Sequence, residues 1–509
     1  MNPLQALVAA TPFEPQALPP NADASPQETL TQLVRNRLKR PQRHRLLHGF
    51  PLAASMPFLD RETRQAVEHG DSRWEHAYQP DKPLLIGVLP HSYCNPKIAG
   101  CGFCTFPHEE FSSLKATAAV NGVIHEIQTR VTATPALSGM QVDALYFGGA
   151  TANLTPPDAF RRLCQKLNAS FDLRQAEVTL EGVPAFFLNR QPRLLDILQE
   201  ELSARHFRIS MGIQTFSKQW QIKMGRTAFG DSETFAQAVA MAHARNMTVS
   251  ADLLFNLPGQ SLAEMLVDIA SGDAIGLDQI CLYHLVMFRG LATAWSRDPE
   301  LIAALPSNAA AAGNWEAIRS AIIDRGFYQT TLTNFERSTF RGDARRYIYE
   351  LHSFETERYN MLGFGPSGIS YSSPDPSRSG LKTMNPESSL EYLQALSQPF
   401  PAWNRYYQFD AESQRLLYAT RRFSGLSLER RRYRDVFGTD VMSDFRNELD
   451  VLAAMELVEI GSDEIHPTVR GMFFSDTIAS VLARARHAKQ RGEQSADRLS
   501  LAGNDTGFM

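Results

Sequence analysis

HSYCNPKIAGCGFC, residues 91–104, places Cys94, Cys101 and Cys104 on one short stretch directly after the apolar run LLIGVL at 84–89. A strand that ends in a ligand-rich loop is how a barrel of strand–helix units carries its site, because such sites lie at the C-terminal strand ends. Three thiolates are one short of the four that close a cubic iron–sulfur cluster. A [4Fe–4S] cluster held this way keeps one iron open to a small molecule. Cys101 and Cys104 form a C-x-x-C pair, and Asn95, Pro96 and Gly100 suit a loop that folds back over itself toward Cys94. On the residues alone, two other readings stay open. A zinc ion could take the three thiolates plus His91 or His108, or the thiols could be reduced and unliganded.

Outward from this loop, short apolar runs alternate with helix-length amphipathic stretches. LLIGVL is followed by a helix near 114–133, ALYFGG at 144–149, a helix near 157–169 and EVTLEG at 177–182. RISMGIQTF at 208–216, a helix over about 232–245, TVSADLLFNLPG at 248–259 and QICLYHLVMF at 279–288 complete the series. Short connections between alternating strands and helices predict parallel strands with right-handed crossovers. About six such units predict an α/β fold, a partial (β/α)6 TIM-type barrel spanning 82–400, with further helices at 311–326 and 387–397. Past residue 400, helices near 410–422 and 440–455, the hairpin-like LVEIGSDEIHPTVRG and a helix over about 472–486 predict a winged-helix-like domain at 401–486. Residues 1–81 are an N-terminal extension whose first 28 or so residues, rich in Pro, Ala and Gln, read as a mobile leader. The polar tail 487–509 reads as disordered. The basic run Arg35, Arg37, Lys39, Arg40, Arg43 and Arg45 reads as a solvated helix face, ahead of a guide for an anionic substrate or a contact to RNA.

Bulk properties narrow the function. The 509 residues allow a large catalytic domain with appendages, and 43% hydrophobic with 21% charged residues is typical of a globular chain. A formal charge of -4 gives no reason to expect a general nucleic-acid binder. Five cysteines, an odd number, fit a reducing compartment better than a disulfide framework, with Cys164 and Cys281 as small core residues. There is no apolar run of about 18 residues, and MNPLQALVAATPFEP lacks the early positive charges of a secretory signal. A cytoplasmic protein with no membrane partner is expected.

Downstream polar residues favour the cluster. Gly148-Gly149 ends a strand and lets a ligand approach the backbone, while Glu181, Gln214 and Asp252 follow on successive strands. Taken singly, a strand-end carboxylate is more often a helix cap. Together they suit a ligand with an amine, a ribose and an adenine. RISMGIQTF followed by IKMGR, DLLFNLPGQS, LYHL and LGFGPSGIS, over roughly residues 84–480, resembles the radical S-adenosylmethionine (SAM) enzymes of the group containing oxygen-independent coproporphyrinogen III oxidase and its heme-chaperone relatives. The resemblance implies that Cys94, Cys101 and Cys104 bind the cluster and that SAM chelates the fourth iron. It also implies that Phe103 packs near adenine, that Gly149, Ala150 and Thr151 line the methionine end, and that Glu181 contacts SAM. Gln214 and Asp252 would face the ribose, Arg226 the carboxylate, and Tyr283 and Ile369 a second SAM, so that one or two SAM molecules are expected. A small organic substrate, such as a tetrapyrrole, and an electron donor of the flavodoxin or ferredoxin type are the implied partners.

The chain departs from the family pattern in four places. Its cysteine spacing is C-x6-C-x2-C where C-x3-C-x2-C is usual, and its glycine motif is GGATAN where GGGTP is usual. The tyrosine expected shortly before the first cysteine is replaced by Gly87 or Val88, which weakens the case for coproporphyrinogen decarboxylation. LHSFETERY at 351–359 keeps His352 but lacks the Asn and Trp of a heme-chaperone segment, which argues against heme trafficking. Three functions follow: an oxidoreductase resembling the coproporphyrinogen oxidase, a methyltransferase that uses two SAM molecules, and a heme-binding carrier.

Overall fold

The computed structural model describes residues 26–42, 50–53, 56–94, 101–106, 109–374, 379–398 and 401–484. The leader up to residue 25, the tail 487–509, Arg43, Arg45, Asn95, Pro96, Gly100 and His108 lie outside them. Six strands carry the series read above: β1 Leu84–Val88, β2 Val142–Phe147, β3 Glu177–Gly182, β4 His206–Gln214, β5 Thr248–Phe255 and β6 Gln279–His284. They pair in parallel in chain order, with the helices Ser113–Ala133, Pro157–Ser170, Leu194–Glu201, Ser232–His243 and Leu262–Ala274 as crossovers. Near-continuous burial along these strands, as in β3, reflects cover on both faces. The helix starts are encoded locally. Ser261 and Glu264 form a reciprocal capping box, with Glu264 Oε2 accepting from Ser261 N at 2.7 Å.

Beyond β6 come β7 Phe327–Gln329, β8 Asn334–Arg337, β9 Asn360–Phe364, β10 Ile369–Ser372, β11 Gly380–Met384 and β12 Arg405–Phe409. The full sheet runs β12-β11-β10-β9-β1-β2-β3-β4-β5-β6-β8-β7. Strand β9 pairs with β1 in parallel, and the other added strands are antiparallel, so the six-unit barrel stays open and is extended at both edges. The last of these strands lies past residue 400. Close approach of backbones fixes the β1–β9 seam at Gly365, where φ is +88° and a Cβ would stand 1.9 Å from Leu89 O. Gly365→Ala is therefore expected to cost at least about 2 kcal/mol, seen as a clear drop in the thermal unfolding midpoint of the purified chain.

The N-terminal ends of the barrel strands are closed by residues 341–349. Glu177 accepts from Ile348 N at 2.9 Å and Glu336 from Tyr347 N at 2.6 Å, while Arg208 stacks 3.8 Å over the Tyr347 ring and donates to Gln279. Burial lifts the Glu177 carboxyl to about 7, with Arg208 opposing. His352 is at this end too. It stacks on Tyr359 at 4.5 Å and lines a cavity of about 270 Å³ with Asp143, Arg205 and Arg346.

After β12, the helix Ala411–Ser424, the strand Leu428–Glu429, the helices Arg430–Phe437 and Val441–Ala454, and the hairpin Val458–Ile460 and Glu464–Pro467 form a winged-helix-like unit with its own three-stranded sheet. The expected last helix is two, Val469–Phe473 and Ser475–Leu482, broken at Phe474. This unit is docked on the barrel. Trp315 Nε1 donates to Val469 O at 3.0 Å, and Glu355 accepts from Arg432 at 3.0 Å. The helix Pro26–Leu38 buries Leu30 and Val34 in the shared core while Arg35 and Lys39 stay exposed. Among the described residues, no helix is long and apolar enough to cross a membrane.

Candidate functional site

The cysteine loop leaves β1 and is tied down at its stem. Tyr93–Cys94 pairs in parallel with Glu109–Glu110, Ser92 Oγ donates to Glu109 Oε1 at 2.6 Å, and Ser389 N donates to the same oxygen at 2.7 Å. At the far side, Gly102 has φ +64° and a Cβ there would meet Trp295 Nε1 at 2.3 Å. Trp295 N donates to Gly102 O at 3.0 Å, and its indole lies edge-on to Phe103 at 5.8 Å. Only a glycine lets the tryptophan cover the C-x-x-C turn.

Around the thiols, two side chains from other strands close in. Thr151 Oγ1 stands 3.1 Å from Cys94 Sγ and 2.8 Å from Ala150 O. Arg226 donates to Cys101 Sγ at 3.1 Å and also to Gly212 O. Cys101 packs with Val183 and Phe229, and Phe103 and Cys104 border the same cluster. Burial pushes the Cys104 thiol up to about 11, Cys101 and Cys94 add to the rise, and Arg226 opposes it. So all three sulfurs and the guanidinium share one neighbourhood.

His91 is fully engaged elsewhere. Tyr93 N donates to its Nδ1 at 3.2 Å, which leaves the hydrogen on Nε2 facing Thr155 Oγ1 at 3.2 Å. Burial holds this ring neutral, its pKa down to about 4. Among the described residues, no three His, Cys, Asp or Glu side chains gather tightly enough to hold one metal ion. Each iron of a cubane takes its own thiolate, so three cysteines can serve a cluster without meeting at one point. The donor set fits a cluster better than a four-ligand zinc built with His91.

Further half-buried polar groups lie on the neighbouring barrel strands. The Cβ that Gly148 lacks would lie 2.8 Å from Glu181 Oε2, which brings the glycine loop and the end of β3 together. Gly149 has φ +113°, a conformation that leaves its backbone open to a ligand. At the end of β4 the ladder shifts register between Gly212 and Gln214, and Gln214 has φ +71°. Such a bulge re-aims a side chain. Gln214 Nε2 and Arg226 Nη2 accordingly converge on Gly212, within 3.3 and 3.4 Å of where its Cβ would be.

Asp252 differs from the expectation of strand-end placement. It sits inside β5, opposite Gly212 and Cys281 in the ladder. Its carboxylate still belongs to the same neighbourhood, because burial first and then Glu181, Tyr347, Asp252 and Tyr283 hold the Tyr146 hydroxyl well above its ordinary range.

Two positions pack in separate apolar clusters. Tyr283 borders a cluster with Trp220, Leu254 and Trp295, whereas Ile369 packs against Ala53, Met56 and Met384. Cys164 and Cys281 are both buried, as expected, and Cys281 faces Asp252 and Arg208 from β6. Near the end of β1, where the resemblance expects a tyrosine, the space over Gly87 is taken by Tyr349. A Cβ on Gly87 would stand 2.8 Å from the hydroxyl of Tyr349, whose ring stacks on Tyr146 at 5.0 Å. Sequence reasoning missed Tyr146, Asn153, Trp295 and Tyr349. Asn153 alone carried a signal, as the last residue of GGATAN.

No family model matches the chain. It is 28% identical over 249 residues to anaerobilin synthase of Escherichia coli O157:H7, which covers 46% of this chain and 53% of that protein. It is 22% identical over 269 residues to the heme chaperone HemW of Lactococcus lactis, covering 53% and 66%. The chain thus spans about half to two thirds of the length of these relatives. In fold it is similar to coproporphyrinogen III oxidase (HemN) from Escherichia coli, described as a radical SAM enzyme, with a TM-score of 0.67, 19% identity, and coverage of 85% of this chain and 96% of that one. Likeness in sequence and likeness in fold point the same way, to the HemN/HemW-like group of radical SAM proteins, which these similarities support.

Proposed function

We propose that the chain holds a [4Fe–4S] cluster through Cys94, Cys101 and Cys104, binds SAM at the open iron, and acts as an oxidoreductase on an organic substrate of the tetrapyrrole class. The observation that carries this reading is the pair of contacts Thr151–Cys94 and Arg226–Cys101, both 3.1 Å. Residues matched to the methionine end of SAM touch the residues matched to the cluster, so one small molecule can engage both. When bound, the cluster supplies an electron that splits SAM into methionine and a 5′-deoxyadenosyl radical able to take hydrogen from an unactivated carbon.

The chain's own residues bind, orient and exclude water. Arg226, buried beside Cys101, offers a fixed positive charge to the carboxylate of SAM. Glu181, Gln214 and Asp252 offer polar groups to its amine and ribose hydroxyls. Gly149 and Ala150 present open backbone to its methionine end, and Phe103 gives its adenine an apolar face. One SAM is taken in this reading, with a second beside Tyr283 and Ile369 as the alternative that the product analysis below would reveal. A flavodoxin- or ferredoxin-type protein is the proposed electron source and the cytoplasm the proposed compartment.

The heme-carrier reading gains support from the 22% identity to a heme chaperone. Against it stands His352, which lies at the closed end of the barrel, away from the cysteines. Anaerobic incubation with SAM and dithionite, followed by mass spectrometry of all adenosine products, separates the readings. The expected product is 5′-deoxyadenosine, accompanied by carbon dioxide if the substrate is decarboxylated. S-adenosylhomocysteine with a heavier substrate would mean methyl transfer, and tight heme binding with little SAM turnover would mean a carrier.

A further inference from the structure

We propose that Asn153 is a positioning residue whose carboxamide clamps the end of β3 to the glycine loop, so that Glu181 and Val183 keep their places around SAM and the cluster. Asn153 is 1% exposed, and its amide makes a two-point grip on one peptide unit pair. Its Nδ2 donates to Val183 O at 2.9 Å, and its Oδ1 accepts from Val183 N at 3.1 Å. These bonds act as an extra rung at the point where β3 has run out of ladder partners.

The grip demands a glycine beside it. A Cβ on Gly182 would lie 2.0 Å from Asn153 Cγ, 2.2 Å from its Oδ1 and 2.4 Å from its Nδ2, so the carboxamide fills the space any other side chain would need. On either side of this contact stand the working parts. Glu181 precedes it, with Oε2 close over Gly148, and Val183 follows it, packed on Cys101 and Phe229. The clamp therefore links the glycine loop, the Glu181 carboxylate and the cysteine turn into one rigid unit. No other side chain named above bridges all three.

Two single variants break the same contact from opposite sides. Asn153→Ala removes both hydrogen bonds, and Gly182→Ala pushes the carboxamide off Val183. The ligand-binding arm of the test rests on the SAM reading above, whereas the exchange arm does not. In anaerobically reconstituted full-length protein, each variant is expected to keep its iron and to bind SAM about ten-fold more weakly, in keeping with the loss of two buried hydrogen bonds. The double variant is expected to lose about ten-fold as well, rather than a hundred-fold, because both changes act on one interaction. The change that SAM produces in the electron paramagnetic resonance spectrum of the reduced cluster is expected to weaken in step, a signature that a merely structural role would leave alone. Hydrogen exchange of the backbone amides at 182–185 is expected to speed up in both single variants. Unchanged SAM affinity with a full cluster, additive losses in the double variant, loss of iron in parallel with SAM, or unchanged exchange at 182–185 would each overturn the clamp. If the unaltered chain bound no SAM, the reading of the site would fall, and the exchange measurement alone would decide whether Asn153 holds β3.

Discussion

Cys101→Ala is expected to reduce 5′-deoxyadenosine formation to background in anaerobically reconstituted protein, with iron falling well below that of the unaltered chain. The thiol of Cys101 lies at the centre of the site, packed on Val183 and Phe229 and hydrogen-bonded by Arg226. On the proposed ligation, removing it would take away one of three ligands and leave a buried guanidinium without the sulfur it faces. A cluster held by two protein thiolates has two exposed corners and is open to further ligand loss. Cys94→Ala and Cys104→Ala are expected to behave alike, since in the proposed cluster each thiolate would serve a different iron. Continued production of 5′-deoxyadenosine by Cys101→Ala would show that this cysteine is not a cluster ligand. Iron and product measured on the same preparation separate ligand loss from a general failure to fold.

Arg226→Ala is expected to weaken SAM binding by roughly ten- to a hundred-fold while leaving the iron in place. A hydrogen bond to a charged group is worth about 1.5–3 kcal/mol, and each 1.4 kcal/mol is about ten-fold in affinity. Arg226 is buried, held by Gly212 O and Cys101 Sγ, and lies over the Phe229 ring at 4.5 Å, so its charge is fixed before the ligand arrives. Pre-set charge of this kind costs no reorganisation on binding. Arg226→Lys keeps the charge and loses the planar fork, and is expected to fall between the two. Loss of iron with SAM affinity unchanged would move Arg226 from the ligand to the cluster. Equilibrium binding of SAM to the reconstituted variant, with iron counted in parallel, reads both outcomes.

Much of this architecture is legible in the sequence because parallel strands leave a strong local signature. EVTLEG at 177–182 is bounded as read, and each of the five other barrel strands falls within a few residues of its apolar run. Periodicity fails where tertiary contact decides. Phe474 breaks what reads as one helix, and β12 joins the large sheet from beyond residue 400 through pairing with β11, which no local pattern announces.

The site divides the same way. Cys94, Cys101, Cys104, Thr151, Glu181, Gln214 and Arg226 come from motifs and converge. Asp252 reads as a strand-end group, yet it lies mid-strand in β5. The bulge that turns Gln214 is a matter of register with β5, and Tyr349 reaches Gly87 from a segment more than 260 positions away; neither can be inferred from neighbours in sequence. Motif order carries Tyr283 and Ile369 to one ligand, and the fold packs them in different clusters.

Metal and sulfide analysis of oxygen-protected protein, with its visible absorption spectrum, tests the central claim most directly. About four irons and four sulfides per chain, with the brown sulfide-to-iron charge-transfer band of a thiolate-held cubane that shifts on adding SAM, is the expected result. One zinc per chain and a colourless solution would contradict it.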